Sequence, residues 1–244
     1  MSVKIKAFII TFNESETIEF TIKHYQKYCN EVHIYDNHST DNTREIAASM
    51  GCIIHTFGKK GVLDDRAYLE VKNNCWKSHT DTDYVIVCDA DEILDLEDFY
   101  NCTGVFEANR KPEHIIRGIG YNIYSETLPL ESWDEKRLGF RDTMYDKALM
   151  FDPSFITEIN YGYGAHGARP NFNWNESDMV IESLNLYHMR YVGGFERLLN
   201  RYNVYHKRMC DFNIKNGLGV QYLKSESELA KEWESVKVKC VEVD

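Results

Sequence analysis

Short apolar runs alternate with longer amphipathic segments through the first hundred residues of the chain. Runs rich in β-branched residues predict four buried strands, at 5–12, 31–35, 52–57 and 84–88. The segments between them carry apolar residues at helical spacing, and the first helix is predicted to begin with Asn13 or Ser15 as its N-cap. Strands and helices that alternate over short links are typical of a mainly parallel sheet flanked by helices. The pattern therefore predicts an α/β fold.

The second half of the chain has a looser pattern. Apolar runs predict strands at 113–124, 147–151 and 184–190, and amphipathic segments predict C-terminal helices at 194–212 and 225–238. Residues 125–145 are charged and aromatic, and they predict a long loop of the kind that more often serves function. No repeat or linker interrupts the sequence. Residues 1–244 are therefore predicted to form a single domain with two halves, 1–100 and 101–244.

Polar side chains follow three of the predicted strands, at the point where each strand ends. They are Thr11-Phe12-Asn13-Glu14 after the first strand, Asp36-Asn37 after the second and Asp89-Ala90-Asp91 after the fourth. In an open parallel sheet the carboxyl ends of the strands share one edge, and ligands bind there. Each stretch by itself fits ordinary turn chemistry. Together they predict one site, built from segments that are far apart in the sequence.

Asp89 and Asp91 are two residues apart in an extended segment, so their carboxylates are predicted to project to the same side. Two such carboxylates repel each other unless a positive charge lies between them. A divalent cation that prefers oxygen ligands, Mn²⁺ or Mg²⁺, would supply that charge. The alternative is a solvated acidic turn that caps the next helix. The metal hypothesis also requires that no lysine or arginine of the chain already neutralises the pair and leaves no room for an ion.

Composition excludes several classes of protein. The formal net charge is −11, from 39 acidic residues against 28 Lys and Arg, which argues against a nucleic-acid partner. No apolar stretch is long enough to span a bilayer, and the first residues lack a signal-peptide pattern, so a cytoplasmic protein is predicted. The seven cysteines are scattered without a C-x-x-C pair, and they indicate neither a disulfide framework nor a zinc site.

The three polar strand ends also carry a resemblance. Thr11-Phe12-Asn13-Glu14, Asp36-Asn37-His38-Ser39-Thr40-Asp41-Asn42-Thr43 and Asp89-Ala90-Asp91-Glu92 occur in the order seen in family 2-type glycosyltransferases with the GT-A fold. The resemblance covers about the first hundred residues. It implies a metal-dependent transfer of a sugar from a nucleotide-sugar, with UDP as the expected carrier, to a glycan or lipid-linked acceptor. Residues 1–100 would then be the nucleotide-binding half and 101–244 the acceptor-side half.

The resemblance also implies roles for individual residues. Asp89 and Asp91 would serve the metal, with His188 as a further ligand after an apolar strand-like run. The nucleotide-sugar would be bound by Thr11, Phe12, Asn13, Glu14, Asp36, Asn37, Asp65, Arg66, Lys72, Asp89, Ala90 and His166. Lys72 stands where the family often has arginine, and lysine lacks the bidentate fork, so Arg66 is an alternative cation for the diphosphate. His166 ends a glycine-rich turn and is expected to donate to a phosphate.

Two features of the second half remain open from sequence. An inverting transfer needs a carboxylate that deprotonates the acceptor hydroxyl, and Asp134, Glu135 and Asp142 are equivalent candidates. The basic and aromatic segment 194–212 is expected either to cover the sheet or to make peripheral contact with an anionic membrane. No role is predicted for the other seven histidines.

Two other functions fit the same acidic sheet edge. A nucleotidyltransferase would build a nucleotide-sugar and release pyrophosphate, but such enzymes usually carry a glycine-rich basic loop after the first strand, which 11–14 lacks. A non-catalytic module that binds nucleotide-sugars or carbohydrates would bind the donor without turnover.

Overall fold

The structure, a computed structural model, describes residues 3–97, 99, 115–128, 137–173 and 181–243. Its main feature is a ten-stranded mixed sheet, with the strand order β12-β7-β6-β8-β4-β1-β2-β3 and with β11 paired to β5 and β6. The strands of this sheet are β1 Ile5–Thr11, β2 Glu31–Asp36, β3 Ile53–Thr56, β4 Tyr84–Asp89, β5 Glu92–Leu94, β6 Ile115–Ser125, β7 Arg137–Arg141, β8 Lys147–Phe151, β11 Ile181–Val192 and β12 Val241–Val243. A separate pair is formed by β9 Ile156–Glu158 and β10 Asn171–Phe172.

The described helices are α1 Ile18–Gln26, α2 Thr43–Ser49, α3 Asp65–Asn74, α4 Gly194–Arg208, α5 Asp211–Lys215 and α6 Glu226–Lys239. The predicted α/β fold, a mixed sheet flanked by helices, is confirmed. The four strands β3, β2, β1 and β4 are all parallel, and the long pairing of β11 with β6 is parallel as well. None of the described helices is long and apolar enough to cross a membrane.

The parallel register positions the polar strand ends. Thr11 pairs with Asp36, and Ile10 pairs with Asp89. The chain continues this pairing one step further, since Asn37 N–H donates to Thr11 O and Ala90 N–H donates to Ile10 O. The predicted convergence of the three strand ends on one edge is therefore confirmed. Apolar residues such as Ile9 and Ile86 fill one face of the sheet and Phe8 and Val87 the other, which fixes this edge against the helices.

Helix α1 begins later than the sequence indicates. Its N-cap is Thr17, without a side-chain cap, because Asn13 and Ser15 bond across to the next loop instead. Asn13 adopts a left-handed φ of 52° and its Oδ1 accepts from Thr40 N–H at 2.7 Å, while Ser15 N–H donates to Asp41 at 3.1 Å. The capping prediction was wrong because these polar groups tie two strand ends together.

Two predicted boundaries in the second half also differ. The segment 125–145 contains β7 and a short 3₁₀ helix at Thr143–Tyr145, so it is not one continuous loop. The predicted helix 194–212 breaks after Arg208, because Leu63 N–H donates to Arg208 O at 2.7 Å and Cys210 N–H donates to Leu63 O. This exchange ties the end of α4 to the start of α3. Leu198 and Tyr202 of α4 pack in one cluster with Tyr124 of β6 and Tyr191 of β11, and the predicted membrane contact stays a prediction.

Burial of His24 in α1 makes the stability of the protein depend on pH. Its Nε2 lies 2.8 Å from Leu94 O, and burial lowers its pKa from 6.5 to about 4. The ring must be neutral to stay buried, so its contribution is complete above pH 6.5 and is lost as the pH falls towards 4, a change of about 3 kcal/mol. We expect His24→Gln to remove this loss, measured by urea denaturation across that pH range. His206→Gln, on the exposed side of α4, is the control, and an unchanged pH dependence in His24→Gln would contradict the assignment.

Candidate active site

A cavity of about 190 Å³ lies at the carboxyl ends of the parallel strands. The first half of the chain contributes the ends of β1 and β4 and the first turns of α3. The second half contributes the start of β8, the turn at 162–166, the end of β11 and the inner side of α4. Its charged wall consists of Glu14, Asp65, Lys72, Asp89, Asp91, Glu92, Lys147, Arg190 and Arg201. Acidic groups thus slightly outnumber permanent cations, so the wall has no surplus positive charge.

Asp89 is held by two lysines. Lys72 Nζ donates to both carboxylate oxygens, at 2.7 and 2.8 Å, and Lys147 Nζ lies 3.7 Å from Oδ2. Burial alone would raise the pKa of Asp89, but the two ammonium groups outweigh it and hold that pKa below its ordinary value. Lys147 also contacts Glu92, whose other oxygen accepts from Asp89 N–H at 2.9 Å. Asp89 is therefore ionised and fixed by the protein's own cations.

Asp91 is held from the opposite half of the chain. Arg201 Nη2 on α4 donates to its Oδ2 at 2.7 Å and lies 3.1 Å from Glu14 Oε1. Burial would raise the pKa of Asp91, but Arg201 and His188 lower it well below the ordinary value. The same carboxylates raise the pKa of Arg201, against the effect of burial. Native cations therefore already pair with both aspartates, and the metal site predicted at this pair stays a prediction.

A cavity nevertheless remains in front of the pair, and His188 is oriented towards it. Asn122 Nδ2 donates to Asp142 at 2.7 Å, which fixes the amide so that its Oδ1 accepts from His188 Nδ1–H at 2.8 Å. Nε2 of the same ring faces Asp91 Oδ2, 3.2 Å away. Two lone pairs repel unless a proton or a cation lies between them. This orientation, with the second nitrogen held by an amide, is the one that metal-binding histidines use.

Asp91 and His188 fit a divalent ion, because adjacent ligands of an octahedral Mn²⁺ or Mg²⁺ lie about 3 Å apart. Asp89 is not grouped with them. Among the described residues, the one set of three or more His, Cys, Asp or Glu side chains with ligand atoms all within 4.8 Å of one another lies elsewhere. The structure thus brings two of the three predicted metal ligands together, and Asp89 instead joins the lysines.

His166 lines the cavity as a hydrogen-bond acceptor. Its Nδ1 lies 2.5 Å from Met144 O, and a carbonyl can only accept, so Nδ1 carries the proton. Burial, and then the charge of Lys147, lower the pKa of His166, so the neutral ring leaves Nε2 unprotonated. The sequence predicts that His166 donates to a phosphate. The neutral ring cannot donate from Nε2 unless it takes up a second proton.

Some predicted nucleotide-binding residues line the cavity and others support it. Thr11, Phe12, Glu14, Asp65, Lys72, Asp89, Ala90 and His166 line it. Asn13, Asp36 and Asn37 lie outside the lining and hold the loops in place; Asp36, for example, accepts from Ser39 N–H and Arg44. Arg66 is exposed, pairs with Asp64 at 2.6 Å and does not line the cavity. Of the two predicted donor-side cations, the structure places Lys72 in the site.

Of the three predicted general bases, the structure describes Asp142, whose carboxylate is bound by other groups of the protein. Asp142 caps the short 3₁₀ helix through Met144 N–H and accepts from Asn122, and it does not line the cavity. Asp134 and Glu135 lie outside the described residues. Asp142 therefore acts on the site through Asn122 and His188.

Sequence reasoning missed three cations of the site. Lys147, Arg190 and Arg201 line the cavity, and none was assigned a role. Arg201 lies at helical spacing with Leu198 and Tyr205, on the buried stripe of an amphipathic helix. A charged residue on such a stripe is the signal that would have identified it. For Lys147, the corresponding signal is a charged residue at the first position of the apolar strand β8.

Comparisons with known proteins agree with the three motifs. The model of glycosyl transferase family 2 matches residues 7–157. An uncharacterized glycosyltransferase of Rickettsia typhi is 34% identical over 218 residues, 88% of this chain and 69% of that protein. One of Rickettsia bellii is 34% identical over 99 residues, 40% of this chain and 31% of that protein. The chain thus covers less than a third of that relative.

Solved structures with similar shapes have low sequence identity. S. aureus TarS, residues 1–349, is 10% identical with a TM-score of 0.45, over 84% of this chain and 70% of that one. Glucosyl-3-phosphoglycerate synthase from Mycobacterium tuberculosis, solved with Mn²⁺, UDP and glucosyl-3-phosphoglycerate, is 18% identical with a TM-score of 0.34, over 48% of this chain and 44% of that one. Both TM-scores are below 0.5.

The buried pairs of Arg201 are expected to stabilise the fold. In Arg201→Met, Asp91 and Glu14 each lose a partner, and removing one member of a buried ion pair costs on the order of 3 kcal/mol. The matched control is Lys23→Met, which breaks an exposed pair with Glu19 and should cost less than about 0.5 kcal/mol. Urea denaturation near neutral pH measures both. Equal losses in the two variants would contradict the buried network.

Proposed function

The chain belongs to glycosyl transferase family 2, and from that premise we propose that it transfers a sugar from a nucleotide-sugar to a hydroxyl acceptor. UDP is the expected carrier from the family resemblance, and the acceptor is a glycan or a lipid-linked hydroxyl. The observation that carries the proposal is the convergence of three strand ends on one edge of the sheet, where β1 and β4 open into the cavity and Lys72, Lys147 and Arg201 surround the aspartates. We expect the enzyme to act in the cytoplasm.

The cations of the cavity would bind the diphosphate of the donor. Arg201 Nη1 is buried without a hydrogen-bond partner among the described residues, although Nη2 of the same side chain is fully used. A buried guanidinium nitrogen with no acceptor favours an anionic ligand. As the bond from the sugar to the diphosphate breaks, negative charge grows on the leaving oxygen, and prearranged cations stabilise that charge. Lys72 and Arg201 would perform this role from the two halves of the chain.

Asp91 and His188 would hold the divalent ion, Mn²⁺ or Mg²⁺. When bound, such an ion neutralises charge on the diphosphate, which the balanced wall of the cavity does not do by itself. Asn122 and Asp142 would keep His188 in the tautomer that presents Nε2. Asp89, which the family resemblance assigns to ribose and metal, would hold the lysines in position against the donor.

The nucleoside would lie against the end of β1. Thr11 Oγ1 is buried without a hydrogen-bond partner among the described residues, so it is available to a ribose or a base. The ring of Phe12 is now covered by Arg208, whose guanidinium carbon lies 3.1 Å from the ring centroid. Guanidinium and base are both flat, so a base that stacks on Phe12 would have to displace Arg208.

The proton of the acceptor hydroxyl needs a base if the transfer inverts the sugar. Asp134 and Glu135 remain candidates for it. Among the described side chains, His166 offers a neutral ring with Nε2 unprotonated at the cavity wall. The acceptor oxygen would attack the anomeric carbon, the bond to the diphosphate would break, and the proton would pass to this base.

Donor binding and hydrolysis test the proposal. UDP with Mn²⁺ should stabilise the native protein in a thermal-shift screen against GDP and ADP, by about 2.7 kcal/mol at a hundredfold excess over Kd. Slow release of UDP from a panel of UDP-sugars should depend on the metal. Asp91→Asn, which keeps the shape of the side chain, should abolish both metal-dependent effects. Glu19→Gln on the exposed side of α1 is the control.

The outcomes separate the alternatives. Unchanged hydrolysis in a folded Asp91→Asn protein would remove Asp91 from the mechanism. Release of pyrophosphate from a nucleoside triphosphate would instead identify a nucleotidyltransferase. Binding of UDP-sugars without hydrolysis or transfer would identify a non-catalytic binding module.

A further inference from the structure

A second group of metal-binding side chains lies away from the cavity. Glu31 and His33 on β2, and His79 in the connection from α3 to β4, have ligand atoms that all lie within 4.8 Å of one another. Glu31 begins β2, so the group lies towards the amino ends of the parallel strands, whereas the cavity lies at their carboxyl ends. We propose that Glu31, His33 and His79 form a zinc site, separate from the candidate active site.

The geometry of the first two ligands is close to that of a bound ion. Glu31 and His33 are two residues apart on one strand, so they share a face of the sheet. Glu31 Oε2 lies 3.1 Å from His33 Nε2, and two ligands of a tetrahedral zinc ion lie about 3.3 Å apart. His33 is buried and stacks on Phe8 with ring centroids 4.8 Å apart, which holds its ring in place. His79 is half-buried in a turn and can approach the other two.

His55 supplies the supporting contact that a zinc-binding histidine needs. His33 Nδ1 lies 3.1 Å from His55 Nε2, and His55 in turn stacks on Tyr35. When Nδ1–H of His33 donates to His55, the lone pair of His33 Nε2 faces Glu31 and is free for an ion. Partners at the second ring nitrogen commonly fix a metal ligand in this way. Two imidazole nitrogens and one carboxylate oxygen form a ligand set typical of zinc, with the fourth position left to water.

Lys6 shows that the group already attracts a cation. Its ammonium lies 3.4 Å from His79 Nδ1, 3.4 Å from Glu31 Oε2 and 3.3 Å from Asp81 Oδ1. Three acceptors therefore converge on one positive charge. Zinc would take the place of the ammonium between His79 and Glu31, and Lys6 would keep the exposed Asp81 as its partner. Lys6 would compete with the metal. Removal of Lys6 should therefore strengthen zinc binding, whereas removal of a ligand should weaken it.

Bound zinc would join the connection before β4 to strand β2, which lies on the other side of β1 in the sheet. One ion would hold His33 and His79, which are 46 residues apart in the sequence. The unfolded chain has no preformed site, so the ion would bind the native state. Added zinc should therefore raise the melting temperature.

Calorimetric titration with zinc chloride near neutral pH tests the site, in a His188→Gln background that removes the histidine of the cavity. We expect one zinc ion per chain. His79→Ala, which removes a half-buried ligand from the connection before β4, should weaken binding by on the order of 100-fold. Lys6→Met keeps the apolar stem but removes the competing charge, and it should tighten binding about tenfold or more. Co²⁺ in place of zinc should give the visible absorption of a tetrahedral site in the same proteins.

Two results would overturn the proposal. Zinc bound equally well by His79→Ala would place the ion on other residues. Absence of zinc binding in the Lys6→Met protein, with its urea midpoint preserved, would show that the group serves only as a hydrogen-bond network around the ammonium. Because neither Lys6 nor His79 lines the cavity, each substitution made alone in the native chain should leave donor binding unchanged.

Discussion

Charge neutralisation at the carboxyl ends of the parallel strands is the constraint on which the rest of the structure depends. Asp89, Asp91 and Glu14 all end or follow buried strands, where uncompensated carboxylates are costly. The compensating charges come from elsewhere in the chain: Lys72 from α3, Lys147 from β8 and Arg201 from α4. These ion pairs hold the second half of the chain against the sheet edge of the first half.

The same network determines what the cavity can bind. Its acids and cations nearly balance, so a diphosphate needs either an added ion or a rearrangement of the existing pairs. Asp91 and His188 offer a place for the ion, and the free Nη1 of Arg201 offers a contact for the anion. Groups that stabilise the fold are thus the groups that would meet the donor. Substitutions there are expected to change stability and binding together, which is why controls at exposed positions are needed.

Local patterns in the sequence predicted the parts of the fold that local forces determine. The buried strands, and the meeting of the residues near 12, 36 and 90, follow from periodicity and from the shared edge of parallel strands. Lys147 and Arg201 were missed because their role depends on which distant segment covers that edge. The spacing of residues along the sequence does not reveal which segment that is. The cluster of Glu31, His33 and His79 was missed for the same reason, since His79 is far from β2 in sequence. The predicted start of α1 was too early, because Asn13 and Ser15 form hydrogen bonds with a loop that lies further along the chain.

The most direct measurement of the central claim is a crystal structure of the protein with UDP and Mn²⁺. We expect the diphosphate between Lys72 and Arg201 and the ion beside Asp91 and His188, at the joined ends of β1, β2 and β4. Nucleotide bound away from this edge, with the pairs from Asp89 to Lys72 and from Asp91 to Arg201 closed and the cavity empty, would contradict it.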